Sequence, residues 1–268
     1  MSSETPEPPP TRRPLEPLVR PIVPFYDRGG ITIYCGDVRE VLPLLDDDSI
    51  DVVFTSPPYN KGLRIDGKWT GIVNESCKFS RFRDGYGLHD DSMDQQEYKR
   101  WQINTLQECW RVCRGAVFYN HKPRVVNFVC ELPLFGDLPL RQIIIWDTGT
   151  GINLHPGAFA PAHEWIMVYA KSDWRLSSKS ESAMGDVWRV PPERSDRHPA
   201  PFPVELPLRA IRSCDCETVL DPFAGTGTTL VAAKMMGKRA IGIEINEDYC
   251  RIAVERLRQG VLDFDSEG

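Results

Sequence analysis

Apolar positions fall into short continuous runs separated by longer stretches with helical spacing, which predicts strands alternating with helices. ITIYCGD (31–37) reads as a strand, and Val38 through Leu45 as a helix. IDVVFTS (50–56) reads as a buried strand that must stop at Pro57 and Pro58, because proline has no N–H for a ladder. QQEYKRWQINTLQECWRVC (95–113) repeats its apolar residues at helical intervals, and GAVFYNH (115–121) is the next strand. VVNFVCELPLFG (125–136) predicts a further helix, followed by strands at RQIIIWDT (141–148) and EWIMVYAKS (164–172). VELPLRAIRSC (204–214) predicts a helix that tolerates Pro207 near its first turn. TVLDPFAGTGTT (218–229) reads as a strand and a tight loop, leading into the helix TLVAAKMMG. RAIGIEI (239–245) is a strand, and EDYCRIAVERLRQG a last helix stopped by Gly260.

Such alternation predicts an α/β fold with a doubly wound, mostly parallel sheet. Ligands in these folds bind beyond the C-terminal ends of the strands. Three ends therefore matter: Thr55–Asn60, Asp221 onward, and Glu244. One domain over residues 25–262 is expected, between a disordered Pro-rich tail (1–24) and an acidic tail (263–268). The segment 61–93 has no clear period and is rich in glycine, charge and aromatics, as functional loops often are. The polar stretch 172–197 is a candidate recognition insert.

Composition narrows the picture only a little. Hydrophobic residues make up 41% and charged residues 26%, as in ordinary globular chains. No uninterrupted apolar run is long enough to span a bilayer, and the N-terminus carries no signal-peptide pattern. The eight cysteines include Cys35 and Cys130 within apolar runs, where a thiol serves as a small hydrophobe. Neither Cys109/Cys113 nor Cys214/Cys216 has a zinc spacing, so no metal is expected, and unpaired thiols point to a reducing cytoplasm, bacterial or archaeal. Net charge is −6, which by itself does not advertise a nucleic-acid binder. Residues 61–84 nevertheless carry a local excess of +3, including Lys61, Arg64, Lys78, Arg81 and Arg83. Phosphate contact needs only such a local surface.

Candidate chemistry sits at the strand ends. DPFAGTGTT lacks the lysine of a phosphate-binding P-loop and the third glycine of a dinucleotide fingerprint, which weakens ATP and NAD readings. Gly225 and Gly227 permit a tight turn and close approach to a ligand. Glu244, ending the next strand, can accept hydrogen bonds from ribose hydroxyls, so an adenosine ligand without a pyrophosphate fits best. In TSPPYN (55–60), two prolines stiffen the chain and remove donors, leaving the Ser56 and Pro57 carbonyls and the Ser56 hydroxyl as acceptors beside the Tyr59 ring. That cluster suits an amino group on a flat ring, with Tyr59 stacking on the base. A base amine is a poor nucleophile until fixed acceptors favour its tetrahedral, positively charged transition state.

TSPPYN followed downstream by DPFAGTGTT resembles the amino-methylating DNA methyltransferases in their β, circularly permuted arrangement, where the catalytic motif precedes the cofactor loop. YCGDVREVLPLL, WDTGTGINLHPGAFAPAHEWIMVYAK and HPAPFPVELP resemble further segments of that family, so the likeness runs through nearly the whole chain. It implies a Rossmann-like fold and S-adenosylmethionine as cofactor. By resemblance the cofactor is held by Asp37, Thr55, Pro201, Phe202, Pro203, Asp221, Pro222, Phe223, Gly225, Gly227, Thr228, Glu244, Ile245 and Asn246. Ser56, Pro57, Pro58 and Tyr59 take the catalytic positions, and the basic residues of the 61–93 loop meet double-stranded DNA. The target base is expected to be extruded, since its amine is out of reach inside a duplex. Serine at the first catalytic position tends in this family to accompany N4-cytosine methylation, with N6-adenine as the alternative. A separately acting restriction endonuclease and a homodimer stay open, as do RNA or protein-glutamine substrates. A dehydrogenase would need an acid/base that TSPPYN does not offer, and a DNA-binding module without catalysis would leave both strand-end motifs unexplained. His155, His163 and His198 lie near site segments, but this chemistry needs no imidazole.

Overall fold

The computed structural model describes residues 23–60, 93–126, 129–149, 151, 157, 159–178, 182–193 and 202–259. The chain opens with β1 (Tyr26–Arg28), β2 (Ile31–Cys35), the short helix α1 (Val38–Val41) with a 3-10 turn, and β3 (Ile50–Thr55). Helix α2 (Gln95–Val112) leads into β4 (Cys113–His121), β5 (Arg124–Val126) and β6 (Val129–Glu131). Next come β7 (Leu140–Asp147), β8 (His163–Ala170) and β9 (Val187–Arg189). The remainder alternates α3 (Glu205–Arg212), β10 (Thr218–Asp221), α4 (Thr228–Met235), β11 (Arg239–Glu244) and α5 (Glu247–Arg258).

Among the described residues one nine-stranded sheet runs in the order β1-β2-β11-β10-β3-β4-β8-β7-β9. The run from β2 to β4 is parallel, and β8 and β7 then follow antiparallel. Strand β3 is buried along its whole length, as a strand covered on both faces must be. Its residues alternate between two cores. Val52 and Phe54 pack with Leu206, Ala232 and Ala253 of α3, α4 and α5, whereas Val53 faces Leu42 and, from α2, Tyr98 and Leu106. The result is the doubly wound arrangement.

Three expectations are corrected. The helix expected over 125–136 is replaced, among the described residues, by β5 and β6, which pair as a small antiparallel sheet. The run lies between Pro123 and Pro133 and is rich in β-branched valine, which loses rotamer freedom in a helix. Cys130, expected inside an apolar core, is exposed on β6. Strands β1 and β9 were not expected at all; each has three residues at an edge of the sheet, too short to show a period. Strand β9 also means that part of the 172–197 stretch belongs to the main sheet. Among the described residues no helix is long and apolar enough to cross a membrane.

Candidate active site

Between β10 and β3 the winding reverses: the chain leaves β10 through α4 toward β11, and leaves β3 toward β4 on the other side. A crevice opens at such a switch point, beyond the carboxyl ends of the strands. Thr55, Asp221, Glu244 and Cys35 end the four parallel strands β3, β10, β11 and β2. His121 ends β4 at the same edge. Because β8 runs antiparallel to β4, it reaches that edge with its first residues, and His121 lies opposite Trp165. Glu164 is thereby brought to the site.

The junction of β3 and β10 is locked by a buried knot. Asp221 is fully buried; one carboxylate oxygen accepts from the Thr55 hydroxyl (2.8 Å) and the Phe223 amide (3.1 Å), the other from the Thr229 hydroxyl (2.6 Å). Burial pushes its carboxyl up to about 6 against those hydrogen bonds. Asp221 and Thr55, read from the sequence as cofactor contacts, face one another here and shape the loop that follows.

In that loop Gly225 and Gly227 have φ of +51° and +82°, the left-handed region that glycine enters at no steric cost. A Cβ on Gly227 would stand 2.8 Å from the Cβ of Ala253 in α5. The missing side chain at Gly227 therefore serves close packing against α5. Arg256 of α5 holds the same loop by donating to Thr226 O (2.8 Å), Thr226 Oγ1 (3.2 Å) and Thr228 Oγ1 (3.0 Å).

Glu244 is partly exposed at the end of β11. Oε2 accepts from the Gly225 amide and Oε1 from the Asn246 amide, both at 2.8 Å. Burial pushes its carboxyl up to about 7, assisted by the charge of Asp221 and opposed by those amides. Each oxygen keeps a second lone pair, so the group suits a pair of vicinal hydroxyls. Ile245 is half-buried, while Asn246 commits its side-chain oxygen to capping α5 at Asp248 N (2.9 Å). Asp37 caps α1 through Arg39 N (2.8 Å) and pairs with the Arg39 guanidinium. Its strand end lies beside that of β11, with Gly36 N donating to Glu244 O at 2.9 Å. Pro222 and Pro203 are buried, Phe223 packs on Trp101 (5.4 Å between centroids), and Phe202 on Phe54 (5.5 Å). Pro201, Lys61, Arg64, Lys78, Arg81 and Arg83 lie outside the described residues, as do His155, His198, residues 1–22 of the first tail and the whole acidic tail, whereas His163 is exposed at the start of β8.

The catalytic segment leaves β3 as Ser56-Pro57-Pro58-Tyr59-Asn60. The Pro58 carbonyl is taken by the Tyr98 hydroxyl (2.9 Å) and Gln102 Nε2 (3.3 Å), both from α2. Tyr98 also meets His121 Nε2 at 2.7 Å, and Tyr119 donates to Gln102 Oε1. Among the described residues no hydrogen bond takes Ser56 O or Pro57 O. Tyr59 is buried, with 6% of its surface exposed and its ring 4.6 Å from that of His121. Tyr59 is thus a hub of side-chain contacts. Its hydroxyl lies 2.9 Å from Ser56 Oγ, 3.0 Å from Asn120 Oδ1 and 2.9 Å from Glu164 Oε2. Sequence reasoning missed Tyr98, Gln102, Asn120, His121 and Glu164. The signal available was faint: polar Asn120 and His121 close an otherwise apolar strand, and Glu164 opens one.

Among the described residues no group of His, Cys, Asp or Glu is arranged to hold a metal ion. Comparison with known proteins gives a consistent set of likenesses. The family described as DNA methylase (N6_N4_Mtase) matches residues 50–255. Type II methyltransferase M.ScaI of Streptomyces caespitosus is 26% identical, with 87% of this chain and 83% of that protein covered. The DNA adenine methyltransferase YhdJ of Escherichia coli (strain K12) is 28% identical over 84% of this chain and 82% of its own length. Among solved structures, TTHA0409 of Thermus thermophilus, complexed with S-adenosyl-L-methionine, superimposes with a TM-score of 0.59. It is 25% identical, with 87% of this chain and 95% of that chain covered. The cytosine-N4-specific PvuII DNA methyltransferase shares the fold at a TM-score of 0.64 and 18% identity, over 88% of this chain and 87% of its own.

Proposed function

Since the chain belongs to the DNA methylase family that matches residues 50–255, we propose that its strand-end crevice is the methyl-transfer site and that N4 of cytosine is its target. The protein is an S-adenosylmethionine-dependent DNA methyltransferase acting on an exocyclic base amine. The observation that carries the site assignment is the division of labour in TSPPY. Tyr98 and Gln102 clamp the Pro58 carbonyl, while Ser56 and Pro57 keep theirs as acceptors at the switch point.

In this reading Glu244 takes the ribose hydroxyls of the cofactor, and the 223–227 loop and Phe202 flank it. When bound, S-adenosylmethionine supplies the electrophilic methyl group. Ser56 Oγ and Pro57 O accept the two hydrogens of the extruded amine, drawing it toward tetrahedral geometry and stabilising the charge that develops on nitrogen. The double proline stiffens these acceptors before the base arrives, so little reorganisation is needed at the moment of reaction. Asp37 is assigned to the adenine side and Pro203 to the methionine side. Lys61, Arg64, Lys78, Arg81 and Arg83 are assigned to DNA phosphates.

Cytosine rests on Ser56, a neutral hydroxyl at the first catalytic position. N6 of adenine is the second reading, favoured by the name of the Escherichia coli relative. Mass spectrometry of nucleosides from DNA methylated in vitro tests both. N4-methylcytosine is expected, and N6-methyladenine alone would overturn the base assignment while leaving amino-methylation intact. Ser56→Ala should lose most turnover yet bind cofactor; full activity would remove the acceptor role of that hydroxyl.

A further inference from the structure

We propose that Glu164 is a positioning residue that fixes the direction of the Ser56 hydroxyl through Tyr59, an inference that rests on Ser56 being the amino-group acceptor. The Tyr59 phenol has one proton and stands within hydrogen-bond distance of Ser56 Oγ, Asn120 Oδ1 and Glu164 Oε2. Asn120 cannot turn its amide freely, because Nδ2 donates to Trp165 O at 3.2 Å and leaves Oδ1 toward the phenol. Of the three acceptors only Glu164 is a carboxylate, and a hydrogen bond to a charged acceptor is roughly twice as strong as a neutral one. The phenol proton therefore goes to Glu164.

That choice decides the rest of the chain. With its proton committed, the Tyr59 oxygen presents lone pairs to Ser56, whose own hydroxyl then donates to Tyr59. Ser56 Oγ is left with lone pairs alone to offer an incoming amine. Were the phenol to donate to Ser56 instead, the serine proton would swing outward and meet the amino group donor to donor. The direction of two hydroxyls thus depends on a residue 105 positions away from Tyr59 in sequence.

The surroundings suit this duty. The Glu164 side chain is only 17% exposed, so water competes weakly for its oxygens. Lys122 Nζ stands 3.7 Å from Glu164 Oε1 and 5.7 Å from the centre of the Tyr59 ring, which balances the carboxylate beside a polyanionic substrate. His121 packs on Tyr59 and is itself held by Tyr98, so the phenol has little freedom to leave.

The test compares single-turnover methylation by the full-length enzyme with the variants Glu164→Gln, Glu164→Asp, Tyr59→Phe and the double variant Glu164→Gln/Tyr59→Phe. Cofactor affinity, DNA affinity and thermal unfolding are measured alongside. Glutamine can donate to the phenol oxygen and reverse the chain, so Glu164→Gln should slow the transfer step about 10- to 100-fold, the scale of a lost hydrogen bond to a charged group. Both affinities should stay within about twofold, Glu164→Asp should recover part of the rate, and the double variant should be no slower than Tyr59→Phe alone. A near-normal rate in Glu164→Gln, losses that multiply in the double variant, or a loss explained by weaker binding would each overturn the proposal. If Glu164→Gln fails to fold, Tyr59→Phe decides: a normal transfer rate there removes the relay. Ser56→Ala separates this inference from the one beneath it. Full activity in Ser56→Ala sinks the acceptor reading itself, whereas an inactive Ser56→Ala with a normal Glu164→Gln sinks only the role of Glu164.

Discussion

Cofactor binding should strengthen about tenfold between about pH 6 and about pH 8, because Glu244 must be ionised to accept two ribose hydroxyls. Its carboxyl is pushed up to about 7, chiefly by burial. One unit below that value roughly a tenth of the molecules carry the charge and one unit above roughly nine tenths, a difference of about 1.4 kcal/mol in apparent affinity. The same shift acts on the apoprotein with the opposite consequence. A folded-state value above the ordinary 4.5 means that the group's contribution to stability is present below about pH 4.5 and is lost as pH rises through about 7. The cofactor should therefore protect the fold more at pH 8 than at pH 6. Asp221, fully buried and pushed up to about 6, titrates at the acid end of this window, and its charge helps to raise the Glu244 carboxyl. Calorimetry with S-adenosylhomocysteine at three pH values checks the reasoning, using wild type and Glu244→Gln. In the variant the amide nitrogen must face the Gly225 or the Asn246 N–H, so affinity should drop by about 1–3 kcal/mol at every pH. The slope is the diagnostic quantity, steep in the wild type and flat in Glu244→Gln. Equal slopes in both proteins, or none in the wild type, would refute the ribose role.

Three further outcomes follow from the geometry. Gly227→Ala combines a φ of +82° with a Cβ 2.8 Å from that of Ala253, so it should cost about 1–3 kcal/mol in chemical denaturation and weaken cofactor binding. Tyr98→Phe removes one of the two donors to Pro58 O, and should lower the transfer rate while leaving cofactor affinity unchanged by calorimetry; an unchanged rate would mean that this donor is not needed. Asp51→Asn probes the opposite edge of the sheet, where burial raises this carboxyl's proton affinity but Arg114 and the amides of Glu217 and Thr218 outweigh it and hold it below the ordinary range. That stabilisation is present at neutral pH and is lost as pH falls below about 4, so the variant should melt earlier at pH 7, differ less from wild type in acid, and bind cofactor normally.

Much of the fold is legible in the chain because its signals are local. A short, mostly apolar, β-branched run such as that of β3 reads as a strand covered on both faces, and a double proline must end it. The αL turn of Gly225 and Gly227 and the acid closing the next strand likewise depend on neighbouring residues. Where the local signal was too short or divided, as at β1, β9 and the β5–β6 pair, the reading failed. The site divides along the same line. TSPPY and DPFAGTG could be recognised as they stand, but what each residue touches could not. Tertiary structure alone decided that Asp221 turns inward to Thr55 across the β3–β10 junction, and that α2 clamps Pro58. It also decided that an antiparallel β8 delivers Glu164 to Tyr59. These contacts follow from strand order and direction, and in a parallel sheet those are set by long crossovers whose pairings carry no local mark in the sequence.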